Sequence, residues 1–160
     1  MERIARRLEP AEWPEAARVI VCTQRYGALP AAGGVAIGVF EDGHLRGAAR
    51  VVPYAMCVCR NELPADAHQA SRDYRAFLHA NHPNRPHWFV GEVGVEPGLR
   101  RTGIGTLVLE ELMRSITGAG MVCVEAEDDL VAFYERVGFR PTLRTPAPDG
   151  APVTFLEAYV

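Results

Sequence analysis

Between Gly91 and Thr106 the chain reads Gly-Glu-Val-Gly-Val-Glu-Pro-Gly-Leu-Arg-Arg-Thr-Gly-Ile-Gly-Thr, and no other stretch restricts the fold as much. The valine-rich run up to Val95 reads as a half-buried strand, and Pro97 stops it because proline cannot donate to a sheet ladder. From Ile104 the apolar residues Ile104, Leu107, Val108, Leu112 and Ile116 recur at helical spacing. Between strand and helix stand Arg100, Arg101, Thr102 and the turn Gly103-Ile104-Gly105-Thr106. Such a turn can hold an anion. Its glycines let backbone N–H groups approach a phosphate, and the first helical turn carries about half a positive charge. Arg100 and Arg101 are placed to add charge-assisted hydrogen bonds. The stretch therefore reads as a diphosphate cradle between a buried strand and a helix packed on its sheet.

At 160 residues the chain is long enough for one domain, 1–160, with its own core. Seventeen basic against twenty acidic residues leave a net charge of −3, which provides no global field for nucleic acid or an anionic membrane. The arginines of the first seven residues are followed at once by Glu9, Glu12 and Glu15, so no signal-peptide core forms there. No run approaches the roughly 18 apolar residues of a membrane span. Cys22, Cys57, Cys59 and Cys123 are scattered and read as reduced, buried small hydrophobes, which implies a cytoplasmic setting.

The remaining elements follow from period and punctuation. Ile4 to Glu9 alternates as a short strand, and Pro10 and Pro14 with nearby acids start a helix through Ala16, Val19 and Ile20 that frays near Tyr26. Gly27 to Gly34 is a loop. Val35–Phe40 and Leu45–Val52 form a hairpin around Asp42-Gly43. The segment 54–86 reads as a variable insertion with one helix over 65–81, spaced by Ala70, Tyr74, Phe77 and Leu78. After the cradle helix, which ends at Gly118-Ala-Gly120, come a strand from Met121 to Glu125 and a helix from Leu130 to Val137 capped by Asp128 or Asp129. Phe139–Leu143 and Val153–Tyr159 are the last two strands. This order predicts an α/β (α+β) domain with a mixed, largely antiparallel central sheet flanked by helices.

Arg100-x-x-Gly103-x-Gly105, after a strand ending Val93-Gly94-Val95, resembles the acyl-CoA pyrophosphate loop of the GNAT family of N-acetyltransferases. Phe133-Tyr-Glu-Arg-Val-Gly-Phe139, beginning 28 residues after Gly105, is similar to that family's second signature. Residues 82–141 also resemble a branch of the family that includes puromycin acetyltransferase. The resemblance implies acetyl-CoA as co-substrate and direct transfer to a primary amine, with a homodimer left open. Val93 and Val95 would pair with the pantetheine arm, and the amides of Arg101, Thr102, Gly103, Ile104, Gly105 and Thr106 would hold the diphosphate beside Arg100 and Arg101. A dinucleotide fold would need a third glycine where this chain has Val108.

Acyl transfer to an amine requires a base for the ammonium proton, stabilisation of the carbonyl oxygen, and a donor for the departing thiolate. Tyr134 matches the tyrosine that in many relatives protonates the thiolate; the plainer role is core packing. Glu92 matches a glutamate acting there as general base through water. A lone carboxylate among Phe89, Val90 and Val93 would favour its neutral form, whereas a salt-bridged acid would be structural. Glu125-Ala-Glu-Asp-Asp129 offers a local negative field for a cationic amine, or a solvated loop and helix cap. His79, His82 and His87 with Cys57 and Cys59 match no standard zinc spacing, and no metal is expected. The acceptor groove, implied over 23–34 and the final hairpin loop, is non-polar or proline-rich rather than acidic. That favours a small-molecule amine over a basic protein tail. The alternatives are a protein amine and a non-catalytic acyl-CoA-binding module.

Overall fold

A computed structural model describes residues 1–21, 34–53 and 65–160 of the chain. In order they form β1 (Arg3–Arg7), α1 (Trp13–Val21), β2 (Val35–Glu41), β3 (His44–Pro53), α2 (Gln69–Asn81), β4 (Trp88–Val95), α3 (Ile104–Ser115), β5 (Met121–Glu127), α4 (Asp128–Arg136), β6 (Arg140–Pro146) and β7 (Pro152–Tyr159). The element order matches the expectation. Cys22, Cys57, Cys59, the start of the insertion and nearly all of the loop over 27–34 lie outside the described residues.

Local chemistry explains most boundaries. The Glu12 carboxylate accepts from the Glu9 amide at 2.8 Å and grips Arg6 at 2.6 and 2.9 Å, fixing the turn from β1 into α1. Asp42, at φ 50°, tightens the hairpin between β2 and β3. At the end of α2 the Asn81 side-chain amide donates to the Phe77 carbonyl at 2.8 Å. Several boundaries differ from expectation: β1 ends at Arg7 and not Glu9, α2 begins at Gln69 and not at 65, and β6 runs on to Pro146. β5 runs directly into α4, so Glu127 takes the N-cap position and Asp128 is already helical. Neither Asp128 nor Asp129 caps the helix; the Asp128 carboxylate accepts from Arg144 at 2.8 Å instead.

The seven strands form one sheet in the order β1-β2-β3-β4-β5-β7-β6, antiparallel except for β4 against β5. One face packs against α3 and α4, through Ile37, Val51, Val90, Val122, Val124 and Leu156 beneath Ile104, Val108, Leu109, Leu112 and Tyr134. On the other face α1 covers Ala36, Leu45 and Ala48, and α2 covers Phe89, Cys123, Val153 and Phe155. Burying two apolar faces is what holds this fold, at about 25 cal/mol for each Å² removed from water. No helix among the described residues is long and apolar enough to cross a membrane.

Two irregularities in β4 matter for the site. Val51 pairs with Val90 but Arg50 pairs with Glu92, so Gly91 is the extra residue of a β-bulge. Val90, Val93 and Val95 then belong to the α3 side of the sheet, while Glu92 lies with Arg50 on the α1 and α2 side. The ladder between β4 and β5 covers only Trp88–Val122 and Phe89–Cys123. Beyond these pairs the two strands part.

Candidate active site

The cradle stands at the end of β4. Pro97–Leu99 form a short 3-10 turn, Arg101 adopts φ 63°, and Gly103 caps α3 at φ 88°. That left-handed conformation suits glycine, because a Cβ would crowd the following carbonyl. Two contacts brace the loop: Thr102 Oγ1 donates to the Leu99 carbonyl at 2.6 Å, and Arg3 Nη1 donates to the Thr102 carbonyl at 2.6 Å. Arg3 is itself held by Glu41 at 2.8 Å. Arg100, Arg101, Thr102 and Gly103 are exposed, whereas Ile104 is fully buried and anchors the helix. A methyl group on Gly105 would lie 3.2 Å from the Phe133 ring and 3.6 Å from Val95 Cγ2. So β4, α3 and α4 converge at Gly105, with Thr106 next to it in the first turn of α3.

Tyr134 follows Phe133 on α4. It is 5% exposed and packs edge-on against Phe133 and Phe139. Burial, and then the negative charge of Glu125, hold its hydroxyl well above the usual phenol range, so it keeps its proton at neutral pH. Glu125 belongs to β5, two residues past the last β4–β5 pair, and its charge reaches Tyr134.

Glu92 does not stand alone as a carboxylate among apolar side chains. Its Oε2 accepts from Arg50 Nε at 2.9 Å and its Oε1 from Arg50 Nη2 at 2.8 Å, with both side chains buried. The bulge at Gly91 explains this, since it turns Glu92 onto the face where Arg50 emerges from β3, below Trp13 of α1. A buried carboxylate is costly unless it finds such a partner. The salt-bridged alternative is the one realised.

The acidic run divides among several partners. Glu125 accepts a hydrogen bond from the Tyr74 hydroxyl of α2, and Asp128 is paired with Arg144. His82 and His87 hydrogen-bond each other at 2.8 Å, and His82 packs against Phe89 at a tilt of 55° with ring centres 4.7 Å apart. Among the described residues no three potential ligands gather around a metal position. A separate recess of about 490 Å³ between α4 and β6, lined by Asp128, Val131, Leu143 and Arg144, includes no cradle residue.

Arg3, Arg50 and Tyr74 are the contributors that sequence reasoning missed. Each acts across long separations, Arg3 on Thr102, Arg50 on Glu92 and Tyr74 on Glu125. Nothing in their local sequence marks them.

Residues 1–139 match the Acetyltransferase (GNAT) family. Among solved structures, an acetyltransferase from Corynebacterium glutamicum described as histone acetyltransferase HPA2 and related acetyltransferase is 18% identical, with TM-score 0.70 over 100% of this chain and 98% of that one. A GNAT family acetyltransferase from Elizabethkingia anophelis with acetyl-CoA bound is 9% identical, with TM-score 0.62 over 99% and 98%. The Drosophila melanogaster polyamine N-acetyltransferase, which forms N-acetylagmatine, is 15% identical, with TM-score 0.65 over 99% and 100%. At these identities the likeness establishes the fold. The finer resemblance to the branch of puromycin acetyltransferase gains no support from them. A family match over most of the chain and a seven-stranded sheet that opens beside a glycine turn point the same way: the chain belongs to the GNAT acetyltransferase family.

Proposed function

We propose that this protein transfers an acetyl group from acetyl-CoA directly to a primary amine, most simply that of a small molecule. The observation that carries this reading is the gap between β4 and β5, whose ladder stops after Phe89–Cys123 with the Arg100–Thr106 loop nearby at the end of β4. A pantetheine arm would lie along β4 beside Val93 and Val95. The diphosphate would sit on the amides from Arg101 to Thr106 with Arg100 and Arg101 near its charge, the ordinary way a helix N-terminus holds an anion. Acetyl-CoA supplies the activated acyl group.

In this reading Tyr134 lies at the thioester sulfur. A phenol held above its usual range remains a donor, but giving its proton outright to a thiolate, whose reference value is near 8.5, is uphill. Tyr134 therefore hydrogen-bonds the sulfur as the C–S bond breaks, and the second proton of the amine replaces the one it passes on. Glu92 as general base is the part of the assignment with least physical ground, because both its oxygens already accept from Arg50. A proton there would displace a charge-assisted hydrogen bond. An unaltered pH–rate profile in Glu92→Gln would remove it as the base.

A thermal shift with acetyl-CoA, followed by a screen of amines with released CoA as readout, tests the whole reading. Ligand at ten times its Kd stabilises by about 1.4 kcal/mol, or roughly 3–6 °C for a chain of this size. All seventeen basic residues are arginine, so CoA released without added amine cannot come from lysine self-acetylation. No shift with either CoA or acetyl-CoA refutes the reading. A shift without transfer to any amine supports an acyl-CoA-binding module. Polyamine and agmatine acceptors head the panel, beside the amines of a basic peptide, because both kinds of acceptor occur in the descriptions of structural neighbours.

A further inference from the structure

We propose that Arg3, anchored by Glu41, is a positioning residue for the diphosphate of the donor: its grip on the Thr102 carbonyl keeps the Thr102–Gly103 peptide turned with its N–H towards the anion. This inference rests on the acetyl-CoA reading above and adds the side chain that keeps the loop ready to bind.

The sequence of the loop creates the need. A planar trans peptide points its C=O and its N–H to opposite sides, so tying down one fixes the other. Gly103 stands at φ 88°, and glycine passes between the two signs of φ at little cost. Local chemistry therefore holds the plane of the peptide joining Thr102 to Gly103 only weakly. Turned over, that peptide would aim a carbonyl oxygen at the phosphates in place of an N–H. Gly103 is also the N-cap of α3 and has no side chain with which to steady the first turn.

β1 supplies the missing hold. Arg3 Nη1 donates to the Thr102 carbonyl at 2.6 Å and lies 3.9 Å from where a Cβ on Gly103 would be. With that carbonyl drawn towards β1, the Gly103 N–H points the other way. The next peptide is fixed by the helix itself, because the Gly103 carbonyl accepts from the Leu107 amide at 3.1 Å. Arg3 is anchored in turn. It stands opposite Glu41 in the β1–β2 ladder, and its Nε donates to Glu41 Oε2 at 2.8 Å. The Glu41 side chain is 8% exposed against 30% for Arg3, so the carboxylate holds the guanidinium from the inside. Ala5, two residues along β1, packs on the core beneath α3, and alternation puts Arg3 on that same face. One planar fork thus grips a buried carboxylate with Nε and a loop carbonyl with Nη1, a task that fits the fixed donors of arginine. The pair has no net charge, so it acts on the anion by orienting the loop, and Arg100 and Arg101 supply the field.

The size of the effect follows from the share of loops turned correctly, since the apparent Kd is the intrinsic value divided by that share. A hydrogen bond from a charged donor is of the stronger kind, and without it a share of about one in ten raises Kd about tenfold.

The test uses the full chain and compares wild type, Arg3→Met and Arg3→Lys. CoA and acetyl-CoA are titrated calorimetrically, and steady-state rates are measured with butylamine, agmatine and spermidine as probe amines. Arg3→Met is expected to raise Kd for CoA and acetyl-CoA alike by about tenfold, and KM for acetyl-CoA with it. At saturating acetyl-CoA, kcat and the KM of the amine are expected to stay within about twofold of wild type. Arg3→Lys keeps a cationic donor and is expected to bring Kd back to within about threefold of wild type. A side chain that only held the fold together would instead lower kcat and the number of binding sites at an unchanged Kd. That result, or a Kd in Arg3→Met within about twofold of wild type, overturns the inference. A loss in Arg3→Lys as large as that in Arg3→Met overturns it as well. Wild type that binds neither CoA nor acetyl-CoA overturns it together with the reading it rests on. Wild type that binds both and acetylates no probe removes the transfer reading alone, and the titrations still decide the role of Arg3.

Discussion

The Arg50–Glu92 pair makes a quantitative test of what holds the centre of the sheet. Its side chains are 3% and 4% exposed, and both hydrogen bonds are at or below 2.9 Å, so the rules for buried rather than surface ion pairs apply. Removing one partner leaves an uncompensated buried charge, at a cost of about 3–5 kcal/mol. For a chain of this length that lowers Tm by roughly 6–20 °C. Glu92→Gln should fall near the lower end, since an amide oxygen still accepts one bond. Arg50→Met should cost more, because Arg50 takes part in further interactions and lies over Trp13. In the double variant Arg50→Met/Glu92→Leu neither charge is buried, and its loss should fall short of the sum of the single losses. A coupling of at least about 2 kcal/mol is expected. Urea unfolding of wild type, both singles and the double closes the cycle. Additivity within about 0.5 kcal/mol, or single losses below 1 kcal/mol, would refute the reasoning and return Glu92 to the pool of free carboxylates.

Tyr134→Phe should reduce kcat severalfold or more with acetyl-CoA affinity nearly unchanged; an unaltered kcat in steady-state assays would remove the hydroxyl from the reaction. Gly105→Ala should keep or slightly raise Tm, since alanine favours a helix by about 0.5–1 kcal/mol over glycine, yet weaken acetyl-CoA binding by crowding Phe133 and Val95. Calorimetric titration checks the second half. Burial pushes the Cys123 thiol up to about 12 against 9.0 when exposed, so a chromogenic disulfide at pH 8 should leave it untouched until the protein unfolds. The sign of the linked effect follows: this stabilisation is complete below about pH 9 and is lost as pH rises towards 12, and Cys123→Ala should flatten that alkaline decline. At the acid end, Arg6 holds the Glu12 carboxyl down to about 2, so their contribution is present above about pH 4.5 and fades as pH falls through 2; a carboxyl NMR titration reads it directly.

The chain order of strands and helices, the cradle before α3 and the placing of Val93 opposite to Glu92 could all be read from the sequence. Each depends on short-range causes: alternation, helical period, proline at a strand end, glycine at a helix start. The residues braced around the site could not. The bulge at Gly91 decides that Glu92 meets Arg50, and a bulge has no mark in a single sequence beyond a glycine that has many other uses. The same holds for Arg3 beneath the Thr102 carbonyl and for Tyr74 against Glu125, which meet only because non-adjacent strands and a distant helix pack on one sheet. Sequence alone determined that this chain makes a strand, a glycine-bearing turn and a helix. Tertiary structure decided that Glu92 meets Arg50 and that Glu125 meets Tyr74, because such partners are chosen by the register of strands and the packing of helices and not by neighbours in the chain.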